Sequence, residues 1–286
     1  QVLAHRASIP YDRKAANEYR FIKEVLKTTF DEKEKISQRL IQQYYTLRSN
    51  FLTRLMKGSI DNESAVHEAL DSFNIRLETE YFGVLLFYVE GYDTLSSKDV
   101  FASPEEKLKL VDFVVTSAID GLNGYKHQCL VAEFDGMMAC LVNFKGPDIT
   151  AFKQDIIDIA RMSQQCFQEK FHIGTTFSVS GVHESLTGIS EAYLESVEAM
   201  EYRMVLGRGS IVIYDDIKDS GSADYSYDYS LETERKLMNL IKAGNYEEAK
   251  LVLTEVFDGN LSKGLLPIQI VKCLMFNLIS TMIKTM

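Results

Sequence analysis

Several stretches of the chain gather side chains of the kinds used in catalysis and binding. Glu90 and Asp93 follow the apolar run FGVLLFYV, and Asp135 precedes Gly136 between two more apolar runs. Carboxylates placed this way could share a lone divalent cation, since hard cations take oxygen ligands. The plainer reading, and the one adopted here, is solvated loop acids. Asp215 and Asp216 suggest acid-base work, yet adjacent residues at a strand end point in opposite directions, so a solvated strand terminus is expected. Arg203 lies on the small-residue strip of a helical pattern and, if buried, needs an acidic partner, so a structural ion pair is expected. Met137 and Met138 alternate across a strand, which sends one to the core and the other outward as gap fillers.

The remaining candidates are weaker. His5, His67, His127, His172 and His183 form no HExxH pattern or close pair. Cys129, Cys140, Cys166 and Cys273 show no CxxC spacing, and the expectation is free thiols acting as small hydrophobes in a reducing compartment. No metal and no cofactor is expected.

Composition narrows the class. With 286 residues, 46% of them hydrophobic, the chain can bury a sizeable core and hold one large domain with appendages, or two. A formal charge of -10 argues against broad contact with nucleic-acid phosphates by these residues. No apolar run reaches the roughly 18 residues of a membrane span, and no signal peptide is recognisable, so a soluble, cytoplasmic segment is expected.

The elements that must hold these groups are legible in the apolar pattern. From Asp12 to Lys57 there is neither Gly nor Pro. Leu26, Ile36, Leu40, Tyr44, Leu47, Phe51 and Leu55 keep helical spacing there, with a break allowed near Phe30 where Thr29 and Glu32 could cap a new start. At about 1.5 Å per residue such a helix is roughly 65 Å long, so part of it must project, and a second copy is the expected partner. The run Asp31 to Lys35 interrupts its heptad.

Beyond Gly58 come a helix from Glu63 to Phe73, a strand at 82–89 covered on both faces, and a helix from Pro104 capped by Ser103. A hairpin turning at Asp135-Gly136 follows, then a helix from Asp148 to Phe171 and a strand at 173–182. This β-α-β-β-α-β order is the ferredoxin-like arrangement, an α+β fold shared by nucleotide cyclases. The polar stretch 219–230 reads as a linker. After it, residues 231–286 hold a helical hairpin and a final helix that is apolar most of the way round, interrupted by Lys272 and Asn277. The expected domains are a coiled-coil-like helical segment at 1–57, the α+β domain at 58–218, the linker at 219–230 and the helical bundle at 231–286.

The whole is organised around residues 188–217, a helix carrying Ile189, Tyr193, Val197, Met200 and Met204 with Ala192, Ser196 and Ala199 beside them, a turn at Gly207 and Gly209, and a strand from Ile211 to Tyr214. The run Tyr193, Ala199, Met200, Tyr202, Arg203, Leu206, Gly207, Ser210, Ile211, Tyr214, Asp215, Asp216, Ile217 resembles the end of the regulatory region in large bacterial AraC-type transcriptional regulators. The resemblance extends over most of residues 15–286. It implies a degenerate GGDEF-like domain followed by a helix-turn-helix DNA-binding domain, which this chain does not contain, and a membrane sensor upstream.

The resemblance also places the expected chemistry. The Asp-x-Asp-x-Phe pattern of active GGDEF domains falls on Tyr88, Val89, Glu90, Gly91 and Tyr92, so one metal carboxylate is replaced by Tyr. The GGDEF hairpin falls on Asp135, Gly136, Met137, Met138 and Ala139, where only the second Gly persists. A two-metal phosphoryl-transfer site cannot be assembled from these positions. The resemblance thus implies a non-catalytic, cytoplasmic regulatory portion of a membrane-anchored full-length protein, with residues 1–57 as its juxtamembrane segment; residues 1–286 are expected to make no membrane contact, and DNA is met only through another domain. The alternatives are a nucleotide-binding or cyclase-like module and a protein-protein dimerisation scaffold.

Overall fold

The computed structural model describes residues 18–60, 62–90, 104–122, 127–134, 136–146, 148–218, 227–261 and 266–285. Contacts divide the chain into two compact units, Gln1–Phe51 and Leu52–Met286.

The described part of the first unit is the body of α1 (Glu18–Met56), a 39-residue helix. The break allowed near Phe30 does not occur. With no Gly or Pro in the segment, Thr29 and Glu32 are simply neighbours within one continuous helix. Seven large apolar side chains between Leu26 and Leu47 are exposed along it.

The second unit begins with the last turn of α1, where Leu52, Leu55 and Met56 are buried. Gly58, at φ 63°, stops that helix in the left-handed conformation suited to glycine. Helix α2 (Glu63–Ser72) is capped by Asn62, whose side chain accepts from the Ser64 N–H. Strand β1 (Tyr81–Val89) follows, buried at almost every position as its apolar composition requires.

The rest of the α+β core comprises α3 (Pro104–Gly121), β2 (Gln128–Phe134), β3 (Met137–Asn143), α4 (Ile149–Phe171) and β4 (Thr175–Val179). It continues through β5 (His183–Glu184), α5 (Ser185–Glu201), α6 (Arg203–Leu206), β6 (Ile211–Ile213) and α7 (Tyr214–Ile217). The strands lie in the order β2-β3-β1-β4-β6, with β5 beside β1. Strands β1 to β4 pair antiparallel, in the split βαβ order, and β6 adds parallel to β4. This is a mixed α+β architecture. Three boundaries differ from expectation. Tyr214 opens a helical turn rather than ending the strand, the organising helix breaks at Tyr202, and β4 is shorter than 173–182. The Ser103 cap lies outside the described residues.

The two faces of β1 are filled differently. Leu85, Phe87 and Val89 point into a large apolar core against α3 and α4, where Phe87 stacks on Phe177 at 5.1 Å and Phe144 on Phe152 at 4.9 Å. Gly83 sits on that face because a Cβ there would come within 2.5 Å of Ile156 Cδ1 and 3.1 Å of Phe144. On the opposite face α5 lies close, as its small-residue strip predicts. Ala192, Ser196 and Ala199 are fully buried. The Ser196 hydroxyl donates to Val84 O at 2.8 Å, the Ser178 hydroxyl donates to Ser196 O at 2.7 Å, and the Val84 N–H donates to Ser180 Oγ at 2.8 Å.

The expectation of four free thiols is overturned. Cys129 and Cys140 form a disulfide between β2 and β3. The hairpin register pairs Cys129 with Val142 and Val131 with Cys140, which sets the two cysteines diagonally on one face with Cα atoms 6.2 Å apart. Cys166 and Cys273 are free, the latter exposed.

The last helices are α8 (Leu231–Lys242), α9 (Tyr246–Leu261) and α10 (Ile268–Thr285). Among the described residues, α10 is the helix long and apolar enough to cross a membrane, yet its inner stripe joins two apolar clusters. Leu266, Ile268 and Val271 pack with Ala199, Tyr202, Val212 and Ile217 of the α+β core. Leu274 and Leu278 pack with Leu237, Ala249, Val252 and Val256 of α8 and α9. Residues 219–226 lie outside the described residues. After them, the Asp228 N–H donates to Asn260 Oδ1 at 2.6 Å and the Tyr229 hydroxyl donates to Thr281 at 3.0 Å.

Candidate functional site

The site is built where β1 ends. Antiparallel pairing to β4 carries the chain past Val89, and the Glu90 N–H donates to Gly174 O at 2.8 Å. The period of two then puts the Glu90 side chain on the same face as Tyr88, the face covered by α5. At the end of α5 the backbone turns at Tyr202 and delivers Arg203, the first residue of α6. The two residues are 113 apart in sequence.

The contact is a two-point fork. Arg203 Nε donates to Glu90 Oε1 and Arg203 Nη2 to Glu90 Oε2, each at 3.0 Å. The Thr176 hydroxyl also donates to Oε1, at 2.6 Å, and Arg208 Nε stands 3.6 Å from Oε2. The guanidinium carbon lies 3.7 Å from the centre of the Tyr88 ring, so the aromatic residue carries the cation from below. The turn that brings Arg208 is fixed in its own right. The Gly209 N–H donates to Thr176 Oγ1 at 3.0 Å, and Gln164 Nε2 donates to Gly209 O at 3.1 Å and Thr175 O at 2.8 Å.

The electrostatics follow from this geometry. Glu90, 8% exposed in its side chain, is pushed upward by burial, but the Arg203 and Thr176 hydrogen bonds and the Arg203 and Arg208 charges outweigh burial and hold its carboxyl below the ordinary value. Burial acts on Arg203 in the opposite sense and is outweighed by Glu90, so the guanidinium is held more firmly protonated than usual. Both carboxylate oxygens are engaged by donors of the protein itself. A metal ion at Glu90 would have to compete with Arg203 for the carboxylate.

The ion pair expected for Arg203 is therefore present, with Glu90 as the acid, and the reading of Glu90 as a solvated loop acid is corrected. Sequence reasoning missed Thr176, Arg208 and the stacking role of Tyr88. The β1–β3 register sets Phe87 opposite Met138, and its continuation brings Gly136 level with the end of β1. Gly136 has φ 77°, as the hairpin turn demands. Met138 is fully buried in the larger core and Met137 is half-buried, the division expected from alternation. Asp93, Gly91, Tyr92 and Asp135 lie outside the described residues. Among the described residues no group of three or more His, Cys, Asp or Glu side chains is placed to hold a metal ion.

The other candidates are engaged elsewhere. Asp215 accepts from Lys218 and Lys153, each at 2.9 Å, and the Lys218 hydrogen bond, ahead of burial and the Lys153 contact, holds its carboxyl below the ordinary range. His127 lies 3.0 Å from Asp155 and accepts from the Lys145 N–H at 3.1 Å, tying β2 to α4 and to the end of β3. His183 bridges Glu191 and Glu195 of α5 at 3.2 and 2.9 Å.

No model of a known protein family matches the chain. It is similar to an uncharacterized HTH-type transcriptional regulator of Bacillus subtilis strain 168, YtdP, with 24% identity over 256 residues. That match covers 88% of this chain and 32% of the relative, so the chain spans about a third of the relative's length. Among solved structures, the active GGEEF domain of a diguanylate cyclase from Vibrio cholerae aligns over 52% of this chain and 90% of its own, with 15% identity and a TM-score of 0.34. The chain is thus weakly related in sequence to a transcriptional regulator.

Proposed function

We propose that this chain is the regulatory, non-catalytic portion of an AraC-type transcription regulator, in which a degenerate GGDEF-like domain passes on a signal and no longer joins nucleotides. The observation that carries the reading is the Glu90–Arg203 fork. The one acidic side chain kept at the strand-end pattern is taken up by an internal guanidinium, and the position two residues before it is the Tyr on which that guanidinium rests. An arginine there supplies the positive charge a metal would otherwise supply, but fixes it to the protein. The similarity to a helix-turn-helix regulator across most of the chain supports the regulatory half of the reading.

In this reading α10 is the output element. It packs at one end on α5, the helix that leads to Arg203, and at the other on α8 and α9. Lys272 of α10 reaches Glu201 at 2.7 Å, two residues before Arg203. DNA would be met by helix-turn-helix residues outside these 286, and the segment would work in the cytoplasm below a membrane-borne sensor.

The test has two parts. Incubation of the chain with GTP and magnesium or manganese should give no cyclic dinucleotide, and calorimetry should show no saturable GTP binding, for the parent and for Arg203→Ala alike. Product from either protein would overturn the non-catalytic reading in favour of a cyclase-like module. In the full-length protein, Arg203→Ala should change expression from a reporter gene under its control by severalfold while protein abundance stays constant. An unchanged reporter would remove this pair from the signalling route.

A further inference from the structure

The exposed side of α1 carries a pattern that specifies its own partner. Among the described residues, the large exposed apolar side chains of this helix are Leu26, Phe30, Ile36, Leu40, Ile41, Tyr44 and Leu47. In a seven-residue frame with Phe30 and Tyr44 at a, the residues Leu26, Leu40 and Leu47 fall at d, Ile36 at g and Ile41 at e. All seven therefore occupy the four positions that line a two-stranded seam.

The charged run Asp31 to Lys35 does not break the frame. Asp31, Glu32 and Lys35 fall at b, c and f, on the outer side. Only Lys33, at d, and Glu34, at e, reach the seam, and all five are exposed.

We infer that α1 pairs with α1 of a second copy in a parallel, in-register coiled coil centred on residues 26–47. The seam is complementary to itself in that orientation. In a parallel pair a g residue meets the e residue five positions on in the other strand, so Ile36 of each copy meets Ile41 of the other and covers the Ser37 and Leu40 layers between them. At the polar layer, Lys33 lies beside Glu34 of the opposite strand, opposite charges across the seam. Lys33 and Ser37 are the polar core positions, and a polar layer in an apolar seam fixes register, because any slip places it against apolar residues. In an antiparallel pair g meets g and e meets e, and these matches are lost.

Variants of the full chain that each add one cysteine to α1 decide this, made on a Cys273→Ser background to remove the exposed thiol. Under mild oxidation, Leu26→Cys and Leu47→Cys should each cross-link to itself, and Lys35→Cys, at an outer position, should do so at least tenfold less. A cross-link that appears only when Leu26→Cys is mixed with Leu47→Cys would establish the antiparallel arrangement and overturn the inference. Sedimentation should give the parent twice its 32.5 kDa. The double variant Leu40→Asp, Leu47→Asp should return to the single mass with the thermal unfolding of the α+β core unchanged. A parent that sediments at the single mass would overturn the seam and leave the regulatory reading untouched, since that reading rests on residues 88, 90 and 203.

Discussion

The two faces of β1 solve the same problem with different materials. Toward α3 and α4 the strand presents Leu85, Phe87 and Val89, and the space is filled by bulk, with stacked rings and a glycine at residue 83 where nothing larger fits. Toward α5 it presents Val84, Leu86 and Tyr88, and the helix comes close because its facing residues are Ala and Ser, with the Ser196 hydroxyl donating directly to the strand at Val84 O and the Val84 N–H donating to Ser180 just beyond β4. That face ends in a charged fork. The first face concentrates stability, because packing energy grows with the volume buried, and the second concentrates geometry, because hydrogen bonds and ion pairs fix where α5 and Arg203 stand.

Substitutions on each face should separate these roles. Phe87→Ala should have the largest effect, about 3–5 kcal/mol, read as a lowered urea midpoint with an unchanged slope. An equal loss from a conservative change under α5 would erase the distinction. Ser196→Val adds bulk and removes the donor to Val84 O, and should cost about 1–3 kcal/mol by the same measurement. Arg203→Ala leaves a largely buried carboxylate short of its main partner and should cost about 1–3 kcal/mol, with Arg203→Lys recovering only part because it lacks the fork.

The pH dependence sharpens the comparison further. A folded-state pKa held below the ordinary 4.5 means that Glu90 contributes stability above that value and loses it as pH falls through the folded pKa. The stability gap between the parent and Glu90→Gln should therefore be constant near neutrality and close below about pH 4.5. A gap that widens in acid would mean the carboxyl is not held down. Smallest of all, Lys272→Ala removes a solvent-screened contact to Glu201 and should shift stability by less than about 0.5 kcal/mol.

Much of this was legible in the residues. Asp135-Gly136 fixed the hairpin and the apolar run at 82–89 the central strand, and from those two the order of the four antiparallel strands followed. The small-residue strip foretold how close α5 lies. Arg203 announced a need for an acid, but not which one, because Glu90 reaches it through sheet register across 113 positions rather than through spacing. The Cys129–Cys140 bond was invisible for the same reason: a separation of 11 says nothing until the hairpin register places the two residues diagonally. Tyr88 read as a lost carboxylate, and its use as a platform for the guanidinium needed coordinates. The end of β6 was misjudged because Tyr214 continues an apolar run whose backbone has already turned helical.

The double seat of α10 bears on how the chain matures during synthesis. Neither the surface made by Tyr202 and Val212 nor the hydrophobic gap between α8 and α9 can close before residues 268–278 have emerged from the ribosome. A nascent chain halted after α9 and before Ile268 would carry two open greasy surfaces at once, a substrate for chaperones and proteases, and only the arrival of one helix would retire both.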